Sequence, residues 1–348
     1  LKKLPIACLP VAGKANPYQH LMMQGLNADE RLQAFNGVHD KFFGILRTCL
    51  KFRPNYIHFD WETSYYYRKN ILLTLMSIPL FLLQIWMVRF LFGCRLVWTP
   101  HNLHPHDLPY PNLHRKVRRF FASQMHWIRL FSARSLEAAV KELQQPKEKF
   151  RFVPEGSYAS YYPSGGKPAE ELRRELAIPE QDKVLLYLGL IKPYKGILEL
   201  VKSFQQENPD KTTLLICGKS MNHAYFEKVR QSAEGNPAIR LMEGFVPEDN
   251  LPAYYELASA VILPFRKIEN SGSVIMAMGY KKAIIAPAMG VLLDRLCRQQ
   301  DLLFEGSPTQ ALHSFYSFSE DQLKAIGEAN RQELEKYHWK DFAACFAG

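Results

Sequence analysis

"YLGLIKPYKGILELV", residues 187–201, decides the fold. An apolar run closes at Gly189, two lysines follow with Pro193 between them, and Gly196 opens a stretch of helical period. Buried strand, short loop and helix in that order form the repeating unit of α/β proteins. The N–H groups and dipole at the start of such a helix favour an anion. Lys192 and Lys195 stand where a phosphate would sit. A loop whose lysines are merely solvated looks the same, so the rest of the chain has to choose between the two.

Working outward, short apolar runs alternate with helical segments along the whole chain. Strands are expected at Leu4–Val11, Asn55–Asp60, Arg95–Thr99, Ile128–Phe131 and Phe150–Val153 in the first half. In the second half they are expected at Lys183–Leu190, Thr212–Cys217, Ile239–Glu243, Ala260–Pro264, Ala283–Ala286 and Asp301–Glu305. Such alternation predicts mostly parallel sheets with helices on both faces. Ser164, Gly165, Gly166, Lys167 and Pro168 form a loop between the two sets. The expected organisation is therefore one Rossmann-like domain over 1–165 and a second over 166–328. Residues 329–348 read as terminal helices, free to pack back on the first domain. The two doubly wound domains are expected to face each other across a cleft, with ligands beyond the carboxyl ends of the strands.

Composition narrows the class. The chain has 348 residues, 47% of them hydrophobic, and a net charge of +10, which suits an anionic membrane surface or a phosphorylated ligand. No nucleic-acid motif, zinc-finger spacing or dense basic arm is present, which argues against nucleic acid. Six cysteines are scattered singly with no C-x-x-C pair, so a reducing cytosol is the simpler setting. The opening "LKKLPIACLPV" is too short in its apolar part for a signal peptide. Residues 71–93, "ILLTLMSIPLFLLQIWMVRFLFG", are long enough to span a bilayer. Yet they contain Gln84, Arg89 and Pro79, and lie between two runs that read as strands, so a crossover helix is expected. Its outer face is free to touch the bilayer interface, with Arg68, Lys69 and Arg95 beside anionic lipid.

Residues just beyond the strands are the candidates for chemistry. In the second half these are Gly189, Lys192 and Lys195, then Gly218 and Lys219, then Phe245, and finally Glu269, Asn270, Ser271, Gly272 and Ser273. "SGS" at a helix start can cradle an anion or simply cap the helix. In the first half they are Asn16 and Tyr18, Asp60 and Glu62, and the loop holding His101, His104, His106 and Asp107, with Glu155 at the exit. Asp60 and Glu62 read either as an acid pair or as a helix start with Glu62 in its first turn. The histidine spacing fits no common zinc pattern.

These stretches, in this order, resemble the GT-B glycosyltransferases, in particular the large group that builds bacterial lipopolysaccharide, capsule and exopolysaccharide. "GLIKPYKG" is similar to the family's glycine–lysine loop, "GFVPEDNLPAYYELASA" to its next conserved stretch, and "ENSGSVIMAMGYKKAIIAP" to its paired-acid motif. More weakly, "NPYQHLMM", "WTPHNLHPHD" and "VPEGSYASYYP" resemble acceptor-side loops and the exit from the first domain. The departures are that Met276 or Ala277 stands for the second acid, Lys192 for an arginine, and Glu155 for a histidine.

The resemblance implies transfer of a hexose from a GDP- or UDP-linked sugar to a lipid-linked or glycan acceptor, at the inner face of the cell membrane. It implies that Lys192, Lys195 and the Ser271–Ser273 helix start hold the diphosphate. Glu269 would meet the sugar, while Gly218, Lys219 and Phe245 flank the base. His101 or Asp107 would serve as base in an inverting enzyme, and His101 would orient the sugar or acceptor in a retaining one. Asn16, Tyr18, Asp60, Glu62, His104 and Glu155 fall on the acceptor side. No D-x-D-like pair sits in a suitable loop, which argues against a required metal or other cofactor. A nucleotide-sugar epimerase and a non-catalytic nucleotide- or glycan-binding scaffold remain alternatives.

Overall fold

The computed structural model describes residues 3–13, 16–103, 109–163, 165–266 and 271–346. The chain divides into two compact units, Leu1–Glu155 together with Tyr337–Gly348, and Gly156–Lys336. Among the described residues each unit carries one six-stranded, all-parallel sheet. The division falls upstream of the glycine-bearing loop at 165, and the closing segment returns to the first unit.

The first sheet comprises β1 (Leu4–Leu9), β2 (Leu32–Asn36), β3 (Tyr56–Phe59), β4 (Arg95–Trp98), β5 (Trp127–Leu130) and β6 (Phe150–Phe152), in the order β2-β1-β3-β4-β5-β6. β3 and β5 are buried at every position, as parallel strands covered on both faces must be. β2 was not expected from sequence. It is an edge strand with only Leu32 and Ala34 buried. Its outward-facing Ala34 N–H and C=O are satisfied by the Asn27 side chain, at 2.7 and 3.0 Å.

The apolar segment forms the helix Ile71–Phe90, the expected crossover between β3 and β4. Asn70 caps it by accepting from the N–H of Leu72 at 2.8 Å. Phe81 from this helix joins Phe59, Trp98 and Phe121 in the core, with ring centroids of these pairs 5.1–5.3 Å apart. The closing turn Trp339–Cys345 lies on the helix Pro17–Asn27. A Cβ on Gly25 would stand 2.4 Å from the Trp339 carbonyl carbon, so only glycine permits this approach. Phe342 then covers His58 and Trp127, with the Arg129 guanidinium 4.3 Å from its centroid.

The second sheet comprises β7 (Lys183–Leu188), β8 (Thr212–Gly218), β9 (Ile239–Glu243), β10 (Ala260–Ile262), β11 (Ala283–Pro287) and β12 (Leu303–Phe304), in the order β12-β11-β10-β7-β8-β9. The winding reverses between β7 and β10. Loops leaving such a pair diverge to opposite faces and open a crevice at the carboxyl ends. The stretch at 187–201 therefore stands at the switch point.

Candidate active site

In the second unit, the turns beyond β7, β8 and β10 are fastened together by backbone contacts. The N–H of Gly189 donates to the Cys217 carbonyl at 3.0 Å, and that of Ile191 to the Lys219 carbonyl at 3.0 Å. A Cβ on Gly218 would lie 1.7 Å from the Gly189 oxygen, so no side chain fits there. The 3-10 turn Pro193–Lys195 ends at Gly196, whose φ of 71° favours glycine. A Cβ there would meet the Pro264 oxygen at 2.0 Å. From the other side, the N–H of Arg266 donates to the Tyr194 carbonyl at 3.0 Å.

Lys195 is the consequence of this joint. Its ammonium rests 4.0 Å from the Phe265 ring centroid and 5.3 Å from that of Tyr194. Lys192 lies 5.9 Å from the Tyr194 centroid. Among the described residues neither lysine has a carboxylate partner, whereas the nearby Arg266 is paired with Glu199. Burial, with repulsion from Lys192 second, pushes the Lys195 pKa down to about 8. The ammonium at the switch point is thus half-buried and packed on two rings, with no carboxylate beside it among the described residues.

Two more features stand at the neighbouring turns. The helix Gly272–Gly279 begins beside Gly189, where an added Cβ would be 3.8 Å from the Ser273 hydroxyl. Ser271 acts as its N-cap, accepting from the Val274 N–H at 3.4 Å, so the capping role read from the sequence is real for this hydroxyl. Gly272 is exposed, with open space where a side chain would be. Beyond β8, the Lys219 ammonium stands 4.9 Å from the centroid of the exposed Phe245 ring. Glu269 and Asn270, expected to meet the donor, lie outside the described residues.

In the first unit the carboxyl ends of β3 and β4 bring Asp60 and His101 together. His101 Nε2 is 3.1 Å from Asp60 Oδ1, while the Gln19 amide donates to Oδ2 at 3.1 Å. His101 is stacked on Trp61, with centroids 4.6 Å apart and planes at 13°, and meets the Tyr18 ring edge-on at 4.6 Å. Burial alone would raise the Asp60 carboxyl. The imidazoles of His58 and His101 and the Gln19 bond outweigh it, and the pKa falls below the ordinary carboxylate value. His58 behind it donates to or accepts from Thr99 Oγ1 at 2.7 Å, and burial lowers its pKa to about 4, leaving it neutral. With Asp60 accepting from Nε2–H, His101 keeps Nδ1 as an acceptor of protons or hydrogen bonds.

Glu62 does not join Asp60 as a second acid. It is buried against Arg118 at 2.8 Å. That guanidinium also donates to the carbonyls of Asn102 and Leu103 and lies 4.9 Å from the Trp98 centroid, fixing the start of the histidine-bearing loop. Asn16 caps the helix Pro17–Asn27 by accepting from the Tyr18 N–H at 3.1 Å. The Tyr18 hydroxyl accepts from Arg129 at 3.1 Å, and Arg129 also donates to the carbonyls of Val153 and Pro154, next to the buried Glu155. His104, His106 and Asp107 lie outside the described residues. Gln19, His58, Trp61 and Arg129 escaped the sequence reading. The order β1-β3-β4-β5 is the signal that would have found them, because it makes their strand ends neighbours.

Solved structures share this fold. Sucrose-phosphate synthase from Thermosynechococcus elongatus aligns with a TM-score of 0.74 at 16% identity, covering 99% of this chain and 97% of that one. Anabaena HepE in complex with UDP and glucose aligns with a TM-score of 0.72 at 14% identity, covering 99% and 98%. The protein therefore has the two-domain Rossmann-like α/β architecture of the GT-B class. Residues 168–337 match the family model Glycosyl transferases group 1, so this part of the chain is a glycosyltransferase domain of that group. Among curated relatives, a GDP-mannose:glycolipid 4-beta-D-mannosyltransferase of Xanthomonas campestris pv. campestris is 22% identical over 87% of this chain and 81% of its own length. A lipopolysaccharide 1,2-N-acetylglucosaminetransferase of Salmonella typhimurium is 32% identical over 60% of this chain and 58% of its own length.

Proposed function

We propose that the protein transfers a hexose from a GDP- or UDP-linked sugar to a lipid-linked or glycan acceptor in bacterial cell-surface polysaccharide synthesis. It does so without a required metal, at the cytoplasmic face of the membrane. The second unit takes the donor and the first the acceptor. The observation that carries the reading is Lys195, a desolvated ammonium with no carboxylate partner among the described residues, held at the switch point near Lys192, with the Ser273 helix start beside Gly189. As the glycosidic bond breaks, negative charge grows on the leaving diphosphate, and preorganised cations and helix N–H groups stabilise that charge without reorganisation. Lys219 and Phe245 flank the base, and Glu269 meets the sugar. His101, oriented by Asp60, holds the acceptor hydroxyl and takes its proton, or orients the donor sugar if configuration is retained. The glycolipid and lipopolysaccharide relatives support the acceptor class by their names.

A calorimetric panel of GDP, UDP, ADP and CMP tests the donor half. One nucleoside diphosphate should bind, and no binding by any would overturn the reading. Transfer of labelled hexose into a lipid-linked acceptor then separates a transferase from an epimerase or scaffold.

A further inference from the structure

The helix Ile71–Phe90 is built inside out. Its buried positions are Thr74, Ser77, Ile78, Phe81, Gln84, Ile85 and Val88, recurring every three to four residues as on any packed helix. Three of these seven are polar, and Gln84 donates to the Phe42 carbonyl at 2.6 Å while accepting from the Leu46 N–H at 3.2 Å. The opposite face, which a soluble protein would make polar, carries Leu72, Leu73, Met76, Leu83, Trp86 and Phe90, all exposed, with Met76 at 72%. Scattered exposed apolar residues need no explanation, but six on one helix face do.

Charge says what covers them. At the helix start Arg68 donates only to carbonyl oxygens, of Lys41, Ser64, Tyr65 and Tyr67. At its end Arg89 and Lys149 both reach the Ser123 carbonyl, at 3.3 and 2.9 Å. Arg95 and Arg151 join them around His126, whose pKa is lowered by burial first and by these four cations next. Among the described residues none of these five cations sits in an ion pair with a carboxylate. Apolar surface bordered at both ends by unpaired positive charge is complementary to a bilayer interface bearing anionic headgroups.

We infer that the outer face of the helix Ile71–Phe90 lies in the plane of an anionic membrane leaflet, with Arg68 and the Arg89–Lys149 cluster against the headgroups. This deepens the membrane reading above and rests on it only for the lipid-linked acceptor. The helix does not cross. Both its ends connect to adjacent strands of one sheet, and Ile78, Phe81, Ile85 and Val88 belong to the core beneath.

The test is flotation with vesicles of phosphatidylethanolamine and phosphatidylglycerol, against vesicles of phosphatidylcholine alone. Wild-type protein should float with the anionic vesicles and leave them in alkaline carbonate. The combined variant Leu72→Ser, Met76→Ser, Leu83→Ser, Trp86→Ser should bind them at least about tenfold more weakly, because four buried apolar groups leave the interface. All four side chains are exposed, so its circular dichroism and its binding of the nucleoside diphosphate should not change. The inference fails if wild type ignores anionic vesicles, binds both kinds equally, or resists carbonate. It fails equally if sedimentation shows a dimer that the substitutions dissociate and no vesicle binding. Protein that floats but binds no nucleoside diphosphate would sink the enzymatic reading and leave this surface standing.

Discussion

Replacing Lys195 separates ligand binding from stability, because the same ammonium acts on the two in opposite senses. With a pKa of about 8 it is roughly nine-tenths protonated at pH 7. A diphosphate bound against it would gain a charge-assisted bond, so Lys195→Ala should weaken nucleoside diphosphate binding by about 1.5–3 kcal/mol. That is a Kd about 10- to 150-fold higher. The bound anion raises the lysine's pKa, so the free enzyme loses the proton first. Wild-type Kd should therefore stay level below pH 8 and then climb toward about tenfold per pH unit until the bound-state pKa is passed. Lys195→Arg, whose guanidinium stays charged, should abolish that climb even if its geometry costs affinity.

Stability moves the other way. The folded-state pKa of about 8 lies below the unfolded value, so the unfolded chain holds this proton more tightly. Below pH 8 the charged ammonium costs the fold its full share, and the fold recovers it as pH rises from there toward the unfolded pKa. Lys195→Met should accordingly raise the melting temperature at neutral pH while lowering affinity. Isothermal titration at five pH values and differential scanning calorimetry on wild type and these three variants are sufficient. A Kd that is unchanged in Lys195→Ala, or a pH profile identical in wild type and Lys195→Arg, would refute the assignment of this lysine to the phosphate.

Other sites give sharper single outcomes. Arg118→Ala leaves Glu62 buried and unpaired and should cost about 3–5 kcal/mol in chemical denaturation, while Arg118→Met with Glu62→Gln should recover part of it. Asp60→Asn should lower kcat by at least about a hundredfold if His101 takes the acceptor's proton, leaving nucleoside diphosphate affinity in place. Unchanged kcat would remove the pair from the mechanism. His58 is held neutral, with a folded pKa of about 4 below its unfolded value, so it should contribute a loss of stability as pH falls from the unfolded pKa toward 4. His58→Gln should flatten that part of the melting-temperature profile. Gly218→Ala forces a Cβ onto the Gly189 carbonyl and should cost at least about 1–3 kcal/mol, with nucleoside diphosphate binding lost at temperatures where the fold survives.

Most of the fold was legible because parallel strands covered on both faces are largely apolar: β3, β5, β8, β10 and β11 are buried at every position, and among the described residues every strand but β2 was expected. β2 escaped because an edge strand buries only half its residues on one side of a short run. "LQAF" has two inward positions, too few to distinguish from chance alternation. The crossover assignment for residues 71–93 rested on its flanks, since its own composition points to a membrane. Both readings have a physical basis in the structure: one face of this helix is core and the other is as apolar as lipid.

The turns around Lys195 were legible for a related reason. Lys192, Lys195, Gly196 and the helix start after β10 are each local to one turn, and the switch point follows from strand order alone. The first unit's site was not, because its parts come from different strand ends. Asp60 and Glu62 are two residues apart and look like a pair, yet the sheet turns one toward His101 and the Arg118 side chain claims the other. Sequence proximity proposed a dyad that burial forbids, since two carboxylates so close in a dry interior would hold only one charge between them. The partner of each acid is a different cation or imidazole, at separations of 41 and 56 residues in sequence. For such an arrangement the neighbour is chosen by topology, and Asp60 acquires its imidazole partner only when β3 and β4 are laid side by side.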